Sequence, residues 1–92
     1  MYIRSFDWDE RNESHMAKHG VSVSEVEEAI LFCKPAYQKG KEGKYVAYAV
    51  TDDGRYLFIV LGVRRSGRIR VIAARDMTEK ERRYYRKRKG VR

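Results

Sequence analysis

Residues 44–75, KYVAYAVTDDGRYLFIVLGVRRSGRIRVIAAR, decide how this chain folds. Tyr45–Thr51, Arg55–Val63 and Arg68–Ala74 are rich in β-branched and aromatic residues. Asp-Asp-Gly and Arg-Ser-Gly separate them, so the stretch reads as a three-stranded meander. Both turns share one spacing, which suits a type I turn followed by a left-handed glycine, Gly54 or Gly67, that forms a bulge. That register sets Thr51 opposite Arg55 and Arg64 opposite Arg68. Because side chains alternate across a strand, it also sorts the meander into two faces. One face gathers Ala47, Ala49, Leu57, Ile59, Leu61, Val63, Ile69, Val71 and Ala73, an almost purely apolar set. The other carries Val46, Tyr48, Val50, Tyr56, Phe58 and Val60, then Arg64, Arg68 and Arg70 at the second turn. A two-residue turn would shift the pairing by one and scramble that separation.

On the N-terminal side, Met1–Phe6 alternates enough to add a strand to the meander. Asp7, with Glu10 three residues on, reads as the N-cap of a helix from about Trp8 to His19, closed by Gly20. Asn12, His15 and His19 share a stripe with Trp8 on that helix. The strongest start signal is Val21–Val26: Ser22 caps, Glu25 completes a capping box and Val21 staples onto Val26. Val23, Val26, Ala29, Ile30 and Cys33 recur at helical spacing until Pro35 stops the helix. Glu25, Glu27 and Glu28 read as acids favoured by the positive helix end and by solvent. Lys34–Gly43 is a lysine-rich loop with room for a short strand around Tyr37. Beyond the meander, Thr78 and Glu81 form a second capping box and open a helix to about Arg88. That helix is basic nearly all round and has only Met77, Tyr84 and Tyr85 to bury. The predicted fold is α+β, a single domain over residues 1–92. It has two N-terminal helices, an antiparallel sheet of three or four strands and a basic C-terminal helix.

Cys33 is the one cysteine, which excludes an intramolecular disulfide framework and a multi-cysteine zinc site and fits a reducing, cytoplasmic compartment. No run approaches the length of a membrane span, and the N-terminus lacks a signal peptide's apolar segment. Charge is unevenly spread. Residues 1–33 hold three Lys/Arg against seven Asp/Glu, residues 34–63 five against three, and residues 64–92 thirteen against three. A balance of +10 in the last third attracts polyanions, of which RNA and DNA are the usual ones.

No phosphate loop, dinucleotide fingerprint or nucleophile elbow occurs. His15 and His19 have the spacing of a helical metal pair but lack a third ligand, so neither a metal nor an organic cofactor is expected. What remains suits phosphodiester chemistry: His15, Lys18, His19, Arg64, Arg68, Arg70, Arg75, Tyr84 and Tyr85. Metal-free RNA cleavage needs a base for the 2′-hydroxyl, an acid for the leaving 5′-oxygen and cations against the phosphorane. Histidine serves either proton role near neutral pH, forked arginines supply charge, and aromatic rings stack on unpaired bases. Each residue also has a plain structural reading: His19 can simply close a helix, and Tyr84 can simply pack.

F-D-W-D-E at 6–10, K-H-G-V-S at 18–22 before a glutamate-rich helix, I-R-V-I-A-A-R at 69–75 and E-R-R-Y-Y at 81–85 together resemble the BrnT family. These are the toxin halves of type II toxin–antitoxin pairs. The resemblance covers nearly the whole chain and implies a RelE-like fold and an endoribonuclease that acts in a sequence or ribosome context. It also implies a ribbon-helix-helix antitoxin that neutralises the toxin in a hetero-oligomer and represses the pair's operon. Two departures stand out: Ala73 where the family usually has a serine, and a lysine-rich rather than acidic Lys34–Lys44 loop. The expected catalytic set is Arg64, Arg70 and Arg75 against transition-state charge, His19 as proton carrier and Lys18 as added charge. Arg68, Arg82, Arg83, Tyr84, Tyr85 and Arg86 are expected to bind RNA. The rival reading is a non-catalytic module of the same fold that binds nucleic acid or antitoxin.

Overall fold

The computed structural model describes Ile3 and residues 5–90. Its elements are β1 (Ser5–Asp7), α1 (Glu10–Ala17), α2 (Val23–Phe32), β2 (Ala36–Lys39), β3 (Lys44–Val50), β4 (Tyr56–Val63), β5 (Arg68–Asp76) and α3 (Glu79–Lys89). The predicted meander is β3–β4–β5, and the α+β class holds. The sheet is larger than expected, with five strands in the order β1-β5-β4-β3-β2. It is also mixed, because β1 pairs parallel to β5, setting Ser5, Phe6 and Asp7 beside Arg68, Ile69 and Arg70. Expectations for Met1, Tyr2 and Arg4 lie outside the described residues. No helix among the described residues is long and apolar enough to cross a membrane.

The first hairpin takes the expected bulged turn. Gly54 has φ +84°, its N–H bonds Thr51 O at 2.8 Å, and Thr51 N–H reaches Arg55 O at 2.9 Å. At the second turn Arg64 N–H bonds Arg68 O at 2.8 Å and Gly67 has φ +76°, as expected. The turn itself differs: Arg65–Gly67 winds as a 3-10 turn in which Ser66 is left-handed as well, at φ 62°.

One sheet face is the predicted core. Ala47, Ala49, Leu57, Ile59, Leu61, Ile69 and Val71 are buried beneath α1 and α2 with Met16, Val21, Val26, Ala29 and Ile30. Leu61 pairs with Val71, so both point to the same side. The register shifts one step further on, where Val60 pairs with Ala73 and leaves Ile72 as an extra residue. Ala73, expected inside, therefore turns out, and Ala74 is buried in its place. The same shift moves Arg75 opposite Phe58, onto the other face. There Ala36, Tyr48, Met77 and Tyr85 form a second cluster with Val46, Val50, Tyr56, Phe58 and Tyr84, and α3 docks through it. The sheet is thus the middle of three layers.

Both capping boxes form as predicted, Ser22 with Glu25 and Thr78 with Glu81. The cap of α1 does not: Asp9 rather than Asp7 accepts from Asn12 N–H, at 2.8 Å. Asp7 is taken by β1, where strand pairing sets it beside Arg68 and Arg70. The glutamates of α2 also do more than favour a helix end. Glu27 accepts from the Trp8 indole at 2.7 Å and Glu28 from Asp52 N–H at 2.8 Å.

Arg55 is the junction of the layers. Its Nη1 donates to both Glu25 oxygens, at 3.1 and 3.2 Å, and to Gly20 O at 2.8 Å. Its Nη2 reaches His19 O at 3.2 Å and Asp76 Oδ2 at 3.3 Å, and Nε reaches Asp76 Oδ1 at 2.8 Å. Carbonyls left over at the end of α1 are thereby satisfied. The Ser22 N–H and then Arg55 hold the Glu25 carboxyl below its ordinary value, and Arg55 does the same for Asp76. Both groups bind a proton less readily folded than unfolded. Their contribution is therefore complete above the unfolded carboxylate pKa and is lost as pH falls through the lower folded value. Circular dichroism melts should show the midpoint dropping once pH falls below about 4, and dropping less in Arg55→Ala.

Candidate functional site

The α3 helix covers only part of its sheet face. Towards the β4–β5 turn the face carries Gly62, Arg70 and Ile72, with Lys44 on β3 and Arg64 at the end of β4. A cleft of about 260 Å³ is lined by Lys44, Gly62, Arg64, Arg70 and Ile72, among others. A second cleft of about 330 Å³ lies between α1 and the edge of β5, lined by Arg11, Asn12, His15, Arg70, Ile72 and Ala73. Arg70 and Ile72 border both. Arg64, Arg65 and Arg68 surround a further hollow at the turn.

Local structure fixes these walls. Asn12 is buried, and its Nδ2 donates to Val71 O at 2.7 Å, which pins α1 to the strand edge. Its Oδ1 is buried without a partner among the described residues. Arg70 is held from β1 and the α1 cap: Nη2 meets Asp9 Oδ2 at 2.9 Å and Nη1 meets Asp7 Oδ2 at 3.7 Å. The bonds from Asn12 N–H and Arg70 keep the Asp9 carboxyl below its ordinary value, so this aspartate stays charged beside the arginine. The bulge pushes Ile72 out to 38% exposure, an apolar side chain among cations.

The structure brings Arg64 and Arg70 together, with Arg68 at the same turn. Arg75 shares the sheet face but lies further along β5 and is engaged. It makes two hydrogen bonds to Glu81, at 2.8 and 3.0 Å, and its guanidinium sits 4.0 Å over the Phe58 ring. Glu81 also caps α3, so Arg75 clamps that helix to the sheet, and its carboxylate is held low by Arg75. Lys18 and His19 follow the last turn of α1 and line neither cleft; the His19 ring stands edge-on to His15, centroids 6.2 Å apart. Tyr85 is buried, Tyr84 is half-buried 4.9 Å from Tyr48, and Arg88 donates to the Tyr84 hydroxyl at 2.7 Å. Arg82 and Arg86 sit 4.7 and 5.6 Å over Tyr56, while Arg83 is exposed.

Sequence reasoning noted Asn12 and His15 only as part of the Trp8 stripe, preferred His19 to His15, and did not single out Arg11, which lines the same cleft. The available signal was the four-residue spacing of Arg11 and His15, which stacks them on one helix face. Which cleft that face lines is set only once the helix is docked against β5. Away from the arginines, Glu28, Cys33 and Asp52 bring one ligand-type atom each to within 4.8 Å of one another. Burial and then the Asp52 and Glu28 carboxylates push the Cys33 thiol up. None of the three lines either cleft.

A histidine and an arginine facing one cleft, with a second arginine next door, combine a proton carrier with anion-binding forks. That is the equipment of phosphodiester chemistry. No curated protein matches the chain. The family model described as the BrnT ribonuclease toxin of type II toxin–antitoxin systems matches residues 8–81, which includes α1, β5 and the first residues of α3. Such a family implies an RNA target and an antitoxin partner. The chain belongs to the BrnT family of ribonuclease toxins of type II toxin–antitoxin systems.

Proposed function

We propose that this toxin is a cytoplasmic endoribonuclease that cleaves messenger RNA by transesterification without a metal ion. The observation that carries this reading is the placement of Arg70 between His15 and Arg64. His15 takes the proton of a 2′-hydroxyl, and the oxygen attacks phosphorus. The bond to the 5′-oxygen breaks, leaving a 2′,3′-cyclic phosphate and a 5′-hydroxyl that takes its proton from water. Arg70 and Arg64 neutralise the phosphorane. His15 replaces His19 in this scheme because it faces the same cleft as Arg70, and Arg75 becomes a structural clamp. Labelled mRNA incubated with the toxin in chelator, with and without ribosomes, should yield fragments ending in a cyclic phosphate. Intact RNA under both conditions would overturn the reading.

The partner we infer is a ribbon-helix-helix antitoxin that covers the cationic surface with an acidic segment and joins the toxin in a hetero-oligomer on operator DNA. The charge of residues 64–92 supports this, because complementary charge speeds encounter and buried anchors slow release. A ternary complex of toxin, antitoxin and RNA that still cleaves would contradict it. RNA binding should weaken steeply with salt. Replacing Arg82, Arg83, Arg86 and Arg88 by glutamine should flatten the slope by roughly 0.7 per phosphate those residues contact. An unchanged slope assigns the charges of α3 to another task.

A further inference from the structure

Arg70 and Ile72 are the shared wall of two clefts that are otherwise lined by different elements. On one side stand Arg11 and His15, on the other Lys44, Gly62 and Arg64, with the Glu42 carboxylate as the one acidic group among them. Volumes of about 330 and 260 Å³ are at the small end of ligand pockets, each room for one compact group rather than an extended polymer. Arg70 cannot swing freely between them, because Asp7 and Asp9 hold its guanidinium in place. Cations lie on both flanks, and the exposed apolar contact on the divide is Ile72.

We propose that this divide is a dinucleotide-reading ridge: two successive nucleotides of single-stranded RNA straddle it, one in each cleft. Resting on the ribonuclease reading, the arrangement places the phosphate that joins them, the one to be cut, on Arg70. Successive bases cannot stack on each other across the ridge, so they are splayed, and Ile72 packs between them as a wedge. Unstacking exposes the base edges that sequence-selective RNA binding requires. It also turns the sugar on the His15 side so that its 2′-hydroxyl meets the histidine. A double-stranded substrate cannot be splayed in this way without melting, so the ridge selects unpaired RNA. Choice of cleavage sequence then resides in the two clefts rather than in α3. The bulge in β5 is what makes the ridge, since it turns Ile72 and Ala73 out at the same place.

Gly62 allows a direct test. A Cβ at this position meets nothing closer than Ile72 Cδ1 at 3.9 Å, so a side chain fits the backbone and fills one cleft. The probes are 2′-O-methyl dinucleoside monophosphates, which cannot be cleaved, and the corresponding 2′-O-methyl mononucleotides. In isotope-labelled toxin a dinucleotide should shift the His15 ring, the Ile72 methyl and the Gly62 amide together. It should bind at least tenfold tighter than either mononucleotide. Gly62→Leu, confirmed folded by its circular dichroism melt, should bring the dinucleotide down to mononucleotide affinity. Shifts confined to one cleft, or unchanged dinucleotide binding in Gly62→Leu, would overturn the ridge. Cleavage of mRNA by the unmodified toxin is read separately. Cleavage without two-cleft binding sinks the ridge alone; two-cleft binding without cleavage sinks the nuclease reading and leaves the ridge standing.

Discussion

Arg55→Ala is expected to destabilise the toxin by about 2–4 kcal/mol. The expectation follows from what the substitution strands. Glu25 loses the guanidinium paired with it and the His19 and Gly20 carbonyls lose their donor, while the more exposed Asp76 turns to water. Arg55 is only about a quarter exposed, at 26% of its side-chain surface, so water cannot simply replace it. For a domain of this size that loss lowers the thermal midpoint by roughly 10–25 °C. Arg55→Lys should recover little, because an ammonium reaches one or two partners where the planar fork reaches four. Urea denaturation of the three proteins measures the difference. A loss below about 1 kcal/mol would mean that the network is only a surface arrangement, of the kind that contributes little.

The second large effect concerns activity. Arg70→Ala should reduce mRNA cleavage about 100- to 1000-fold, the usual consequence of deleting a donor aimed at transition-state charge. Stability should fall less, because Asp7 and Asp9 can turn to water once released. Arg75→Ala should behave in the opposite way. Its bonds to Glu81 and its stack on Phe58 hold α3 down, so the cost is about 1–3 kcal/mol of stability, with cleavage by the folded fraction nearly unchanged. Single-turnover rates and melts of both variants separate the cases. A reversed ranking would move the chemistry along β5 to the α3 end.

The contrast between these arginines marks where the sequence stops being readable. The capping residues Ser22 and Thr78, the left-handed Gly54 and Gly67 and the face shared by Leu61 and Val71 follow from rules that act over a few neighbours. They appear where those rules put them. The bulge at Ile72 has no such signature, since Ile-Ala-Ala fits a regular strand equally well. Yet it decides that Ala74 is buried and that Arg75 faces α3. The cap was misread because Asp7 and Asp9 are both adequate N-caps, and the choice was made by β5, far along the chain. Arg55 gave no signal at all, for its partners come from three different segments. The preference for His19 over His15 had no such support, because only the docking of α1 shows that His15 is the one lining a cleft with Arg70.

The parallel pairing of β1 with β5 also bears on the order of synthesis. The ribosome makes Asp7 and Asp9 first and Arg70 long afterwards, and the ridge needs all three. A contact between segments so distant in sequence is slow to close, since the loop entropy is lost before the contact is gained. A growing chain therefore carries no complete form of the proposed ridge until β5 has left the exit tunnel. On the proposed reading the order of synthesis holds activity back, and that delay is a property of where one three-residue strand was placed in the sheet.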